Sequence, residues 1–352
     1  MNGVRIAFRF SIVIAMAGLL FLFLQFPQYV DQLRTNKTIN VLAWPNVIDS
    51  EYLEEFERKT GITVNLSYFE NYEELVVKMR SGASDYDLVM ASDYSLQLLI
   101  DEQVVKPIDH SRLQFLKDIN PLLLDLPHDP RNKYSIPFSW EIFGIGIDTN
   151  AYKDGMPQAS WKLLFDENVS PARVGMLDDA REIVSIAALY LFGKKKEQLS
   201  NDDLQKIQEL LIQQKPRVAM YTDLRTDYLL VSQSAPVVLG LSSDLFHAMR
   251  KYDNIQFLIP QEGSFVLLDT FMLPASTQKE DLVYALLNYL YQPHIVKAYA
   301  DRYNFFPALQ GVTSQADRYQ MTPTKSLFNR LRFFSYDIPE QALRDLWIAL
   351  KS

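Results

Sequence analysis

The chain of 352 residues contains no cysteine. Disulfides, thiolate metal centres, cysteine nucleophiles and a lipidated N-terminal cysteine are therefore excluded. Positive charge is in the minority, with 35 Lys and Arg against 43 Asp and Glu, for a formal net charge of -8. No Lys/Arg run breaks that balance, which argues against a nucleic-acid partner, whose phosphates call for a basic face. Histidine is scarce: His110, His128, His247 and His294 are scattered and adjoin no acidic cluster of metal-ligand spacing, so they read as surface or structural residues. There is no G-x-S-x-G elbow, no H-E-x-x-H pair, no Walker A loop and no C-x-x-C. Gly144-Ile145-Gly146 runs into Ile147-Asp148-Thr149 without the third glycine of a dinucleotide loop. No catalytic motif, metal or cofactor is expected.

What is present is the balance of a globular protein, 48% hydrophobic and 22% charged. At roughly 100–200 residues per domain, the length allows about two domains. Arg5 and Arg9 precede an apolar stretch from Phe10 to Leu24, with no further charge until Asp31. This has the form of a signal sequence with its arginines held on the cytoplasmic side. The stretch closes on bulky Leu24-Gln25-Phe26-Pro27-Gln28-Tyr29 rather than on small residues, which favours an uncleaved signal-anchor over a cleaved peptide. The remainder is then expected in the periplasm or at the outer face of the cytoplasmic membrane.

Beyond a linker ending near residue 37, strand and helix patterns alternate. Ile39 to Ala43 reads as a buried strand, Ser50 caps a helix that Gly61 stops, and Ile62 to Phe69 alternates as a strand. A helix over Tyr72 to Arg80 and a strand over Asp87 to Ala91 follow. This order means a parallel sheet covered by helices. The same style continues through Val174–Leu177, Ile183–Phe192, Asp202–Gln214, Val218–Tyr221, Val237–Leu241, Ile255–Ile259 and Val266–Leu273, and ends in helices at Leu282–Tyr291, Ile295–Tyr303 and Glu340–Leu350. The chain reads as two α/β lobes with more than one crossover.

Candidate site residues sit where strands end, because open parallel sheets bind ligands outside their carboxyl ends. Trp44 follows the first strand, and Ser92 and Tyr94 follow the third; they read either as a ligand wall or as core and helix-start residues. Asp178-Asp179-Ala180-Arg181-Glu182 opens a helix. Acids there cap the helix and answer its dipole, and Asp179 and Glu182, three residues apart, also share a face that could meet a cation. Asp269 is the only charge between Gly263 and Lys279. An aspartate in an apolar strand needs a partner: either a distant arginine or a ligand cation.

Taken together, Val41-Leu42-Ala43-Trp44, Lys59-Thr60-Gly61-Ile62, Tyr86-Asp87-Leu88-Val89, Tyr134-Ser135-Ile136-Pro137, Ile145-Gly146-Ile147, Asp178 to Glu182 and Asp269 to Pro274 resemble the periplasmic polyamine-binding proteins, the spermidine/putrescine-binding subunits of ABC importers. The resemblance runs from about Ile39 to Leu309. It implies a type II-like periplasmic-binding-protein fold of mixed, mostly parallel sheets, two lobes and a hinge. The implied domains are a signal-anchor and linker at 1–37, a first lobe at 38–143 with about 272–318 returning to it, and a second lobe at 144–271 with 319–352. It further implies a monomer that binds a putrescine- or spermidine-like cation and delivers it to an ABC permease, without chemistry of its own. In the family pattern Asp179, Glu182 and Asp269 are the ammonium-binding acids, and Trp44, Ser92, Tyr94 and Phe305 belong to the wall. The chain departs from that pattern where Ser243 and Leu267 stand in place of tryptophans, Val47 and Phe305 in place of tyrosines, and Pro45 in place of a threonine. These departures leave a second reading, a sensor or scaffold on the same fold with a changed ligand.

Overall fold

The computed structural model describes residues 37–45, 47–82, 85–153, 155–170, 172–193, 198–222, 225–314, 325–334 and 338–352. The expected signal-anchor lies outside them but for its last residue. No helix among the described residues is long and apolar enough to cross a membrane. Twelve strands are formed among these residues: β1 (Thr38–Ala43), β2 (Thr63–Tyr68), β3 (Leu88–Ser92), β4 (Val105–Lys106), β5 (Ser135–Asp148) and β6 (Val174–Met176). The second half of the chain adds β7 (Val218–Tyr221), β8 (Val237–Leu241), β9 (Ile255–Leu258), β10 (Ser264–Pro274), β11 (Phe306–Pro307) and β12 (Leu331–Phe333).

The main path through the sheet is β2-β1-β3-β10-β5-β8-β6-β7. One end, β2-β1-β3, is parallel, as is the other, β8-β6-β7. Between them β10 and β5 run antiparallel to each other and to their outer neighbours. The result is a two-lobed α/β molecule whose lobes share β5. The first part of β5 pairs with β10 up to Ile142, and its second part pairs with β8 and β9 from Phe143 onward. No single element in the sequence pattern announced this 14-residue strand. Pro137, Gly144 and Gly146 are all poor strand formers by themselves.

Both glycines are there for closeness of approach. A Cβ on Gly144 would lie 2.3 Å from the Phe257 ring and 2.8 Å from the Leu258 carbonyl oxygen. One on Gly146 would lie 2.4 Å from Leu245 Cδ2. Overpacking of this kind costs about 1–3 kcal/mol. Gly144→Ala is accordingly expected to lower the melting temperature by several degrees in a thermal denaturation experiment, and an unchanged transition would refute this packing.

Even-numbered residues of β5 (Ile136, Phe138, Trp140, Ile142) enter the largest apolar core. Trp140 stacks on Phe306 at 4.5 Å, Phe306 meets Phe246 at 5.8 Å, and Phe246 meets Phe257 at 5.5 Å. An aromatic file therefore runs behind the strand from one lobe to the other. A second core lies in the β6-β8 lobe and receives Leu343, Leu346 and Leu350 of the last helix, Glu340–Lys351. The first helix, Ser50–Thr60, is capped by Asp49 rather than Ser50: the Asp49 carboxylate accepts the Glu51 N–H at 3.1 Å. Gly61 ends that helix in the left-handed region, at φ 69°.

Candidate functional site

A cavity of about 490 Å³ opens where β1, β3, β6 and β8 end at their carboxyl sides. Strand register builds its hinge-side wall. Asp269 lies opposite Ser92 of β3 on one side and opposite Ser139 of β5 on the other. Ser92 Oγ donates to Asp269 Oδ1 at 3.3 Å and Ser139 Oγ donates to Oδ2 at 3.1 Å. The Trp44 indole N–H, just past β1, donates in turn to Ser92 Oγ at 3.2 Å. The aspartate that stood out in the sequence thus has hydroxyl partners and, among the described residues, no ion pair. Burial raises its pKa to about 6, with the two hydroxyls pulling the other way.

The opposite wall is the start of the helix Ala180–Phe192. Asp179 is its N-cap, accepting the Glu182 N–H at 2.9 Å, and both carboxylates line the cavity. The capping and cation-facing readings of this segment are compatible in one geometry. Desolvation raises the pKa of Asp179, and the Glu182 N–H and Arg181 oppose the rise. Arg181 is committed to Glu340, and Lys351 to Asp178 and to the faces of Tyr221 and Trp347 at 4.0 and 4.6 Å. Lys351 thus answers one acid of the wall, Asp178, while Arg181 is held by Glu340 outside it.

Tyr94 also lines the cavity, with its ring 5.8 Å from Tyr72 and 5.9 Å from Phe334. Of the seven residues anticipated, Phe305 is the one placed elsewhere. It is 1% exposed, does not line the cavity, and packs 5.9 Å from Phe138 in the core behind β5. The ring that reaches the wall from this part of the chain is Tyr303, whose hydroxyl donates to Asp49 Oδ2 at 2.9 Å. The divergent positions Pro45, Val47, Ser243 and Leu267 all line the cavity, so the departures from the family pattern fall on the wall itself.

Sequence reasoning missed Glu141 and Asp244. Glu141 is the only charge between Lys133 and Asp148, the same signal that singles out Asp269, but Pro137, Gly144 and Gly146 hide the strand that carries it. Desolvation raises its pKa to about 8; the Ser243 hydroxyl opposes the rise, Asp269 and Asp244 add to it, and the Ser243 N–H, 3.3 Å from Oε2, opposes it more weakly. Asp244, in the first turn of the helix Ser242–Met249, is raised to about 6 by desolvation and then by Asp227. Arg225 reaches the cavity but is paired with Asp227 at 2.9 Å. In sum, eight carboxylates, one guanidinium and five aromatic side chains line this space. Among the described residues no group of three or more His, Asp or Glu has the arrangement of a metal site. Closely set carboxylates beside aromatic and apolar surface form a lining able to meet an organic cation.

The two-lobed sheet and the acid-lined space between its parallel ends define a ligand-capturing protein. The chain belongs to the bacterial extracellular solute-binding proteins, whose family profile matches residues 51–326. It is 28% identical over 348 residues to the putrescine-binding periplasmic protein SpuD of Pseudomonas aeruginosa, covering 91% of this chain and 94% of that one. It is 30% identical over 275 residues to the putrescine/agmatine-binding protein of Pseudomonas aeruginosa, covering 74% and 75%. In fold it is similar to the Tp0655 (TpPotD) lipoprotein of Treponema pallidum, with a TM-score of 0.76 at 22% identity over 89% of this chain and 99% of that one.

Proposed function

We propose that this chain is an extracytoplasmic solute-binding protein that captures a putrescine- or spermidine-like polyamine by closure of its lobes and presents it to an ABC permease. One observation carries the reading: a cavity lined by eight carboxylates against a single guanidinium, with aromatic rings between them. An alkyl polyamine needs desolvated acids at spaced points and apolar or aromatic surface along its methylenes. The names of the relatives agree with it. The boundary between the lobes is assigned to β5 near Ile142 and Phe143, with 1–37 as anchor and linker. Residues 272–318 return to the first lobe and 319–352 to the second. The molecule acts as a monomer, tethered or secreted on the outer side of the cytoplasmic membrane.

The test is a thermal-shift series on the full-length protein with putrescine, cadaverine, spermidine, spermine, arginine and neutral controls. A ligand at 100 times its dissociation constant stabilises the fold by about 2.7 kcal/mol. A shift confined to one or two amines is expected. A folded protein that ignores every amine would favour the second reading, a sensor or scaffold with a changed ligand. The observation behind that second reading is the presence of Ser243 and Leu267 on the wall.

A further inference from the structure

The hinge wall carries one more carboxylate than a diamine would need. Ser139 and Glu141 project from the same side of β5, and Leu267 and Asp269 from the facing side of β10, with Leu267 opposite Glu141 and Asp269 opposite Ser139. Glu141 and Asp269 are therefore diagonal neighbours across the strand pair, about 7–8 Å apart at the backbone. Glu141 is 8% exposed, and Asp269 is 3% exposed. Neither has an ion pair among the described residues. On the far side of Glu141 comes Asp244, which accepts the Thr226 N–H at 3.2 Å, while Arg225 is committed to Asp227. Asp179 and Glu182 form a separate station on the opposite wall.

We propose that Glu141 is a specificity-determining carboxylate that adds a third ammonium station to the cavity, beside Asp269 and apart from Asp179 and Glu182, so that the site selects an alkyl triamine over a diamine. The inference rests on the polyamine reading above. A diamine brings two positive charges and leaves Glu141 as a neutral buried acid that adds nothing to binding; a third ammonium beside it would draw off its proton and gain a carboxylate partner. A triamine answers all three stations. The leucine opposite Glu141 leaves that carboxylate open to the cavity, where a large ring at position 267 would cover it.

The experiment is isothermal titration of the full-length protein with spermidine and with putrescine, in wild type, Glu141→Gln and Glu141→Ala. Wild type is expected to bind spermidine about tenfold or more tightly than putrescine, and both variants to lose most of that preference through weaker spermidine binding. The same titrations repeated at pH 7 in buffers of different ionisation enthalpy supply a readout that a merely structural role would not move. Burial holds a proton on Glu141 near neutrality, so spermidine should release about one more proton than putrescine in wild type, and not in the variants. A spermidine-to-putrescine ratio that is unchanged in the variants, or equal proton release by the two amines, overturns the proposal. If neither variant folds, the wild-type proton release decides alone. Failure of wild type to bind any amine overturns the polyamine reading itself, and is told apart from the other outcomes by that absence of binding.

Discussion

Asp269→Asn is expected to weaken amine binding by about 30- to 5,000-fold while leaving the protein folded. The size follows from what binding asks of this carboxylate. In the free protein it is buried, held by two serine hydroxyls and raised to about 6, so near neutral pH it is mostly ionised without a counter-charge. An ammonium group placed there would meet a desolvated anion, and removing one partner of such a pair costs about 2–5 kcal/mol. Asparagine keeps the shape and can both accept from one serine hydroxyl and donate to the other, since hydroxyls rotate to suit. The variant should therefore melt at or above the wild-type temperature. Titration calorimetry with the preferred amine, run beside a thermal melt, checks both halves. An affinity within threefold of wild type would remove Asp269 from the site.

The second large effect is on stability against pH. Asp93 and Glu141 are both buried and raised to about 8, chiefly by desolvation; Asp269 adds to each. A carboxyl whose folded pKa lies above its unfolded value binds more protons in the native state, so stability falls as pH rises between the two values. Each such group contributes about 1.4 kcal/mol per pH unit over that interval. His128 works in the opposite sense: burial lowers it to about 4, so its neutral native form gains stability as pH rises from about 4 to 6.5. Above pH 6.5 that contribution is constant and the acids dominate. The ligand-free protein is expected to lose about 5–10 °C of melting temperature between pH 6.5 and 8.5. A saturating amine should flatten part of that slope, the part due to Glu141, because Asp93 does not line the cavity. A melting temperature that rises across this interval would contradict the burial of both carboxyls.

Much of this architecture could be read from the sequence where local and tertiary preferences agree. The strand at Val237–Leu241 and the helix ending at Gln214 lie where periodicity puts them, because their apolar faces are also their packed faces. The long hinge strand was not legible as one element. Its proline and two glycines argue against a strand locally, and only the approach of Phe257 and Leu245 explains the glycines. The acids of the site divide the same way. Asp269 was visible because a lone charge in an apolar run has to be accounted for. Glu141 sends the same signal but from within the unrecognised strand, and Asp244 is hidden by the ordinary preference of acids for a helix start. Phe305 was anticipated on the wall from family pattern alone; in the structure the helix ends at Asn304 in the left-handed region, and the ring beyond it packs in the core while Tyr303 lines the cavity.

The rung that joins Ser92 to Asp269 spans 177 residues of chain. At about 5–20 residues per second of synthesis, that separation corresponds to roughly 10–35 s. During that interval the edge of β3 that β10 will later cover exists without its neighbour. β10 lies in the sheet between β3 and β5, both of which precede it in the chain. Time, as much as space, separates the hydroxyl from the carboxylate it will hold. Until β10 pairs with β3, the hinge wall lacks Asp269 and the β3 edge lies open.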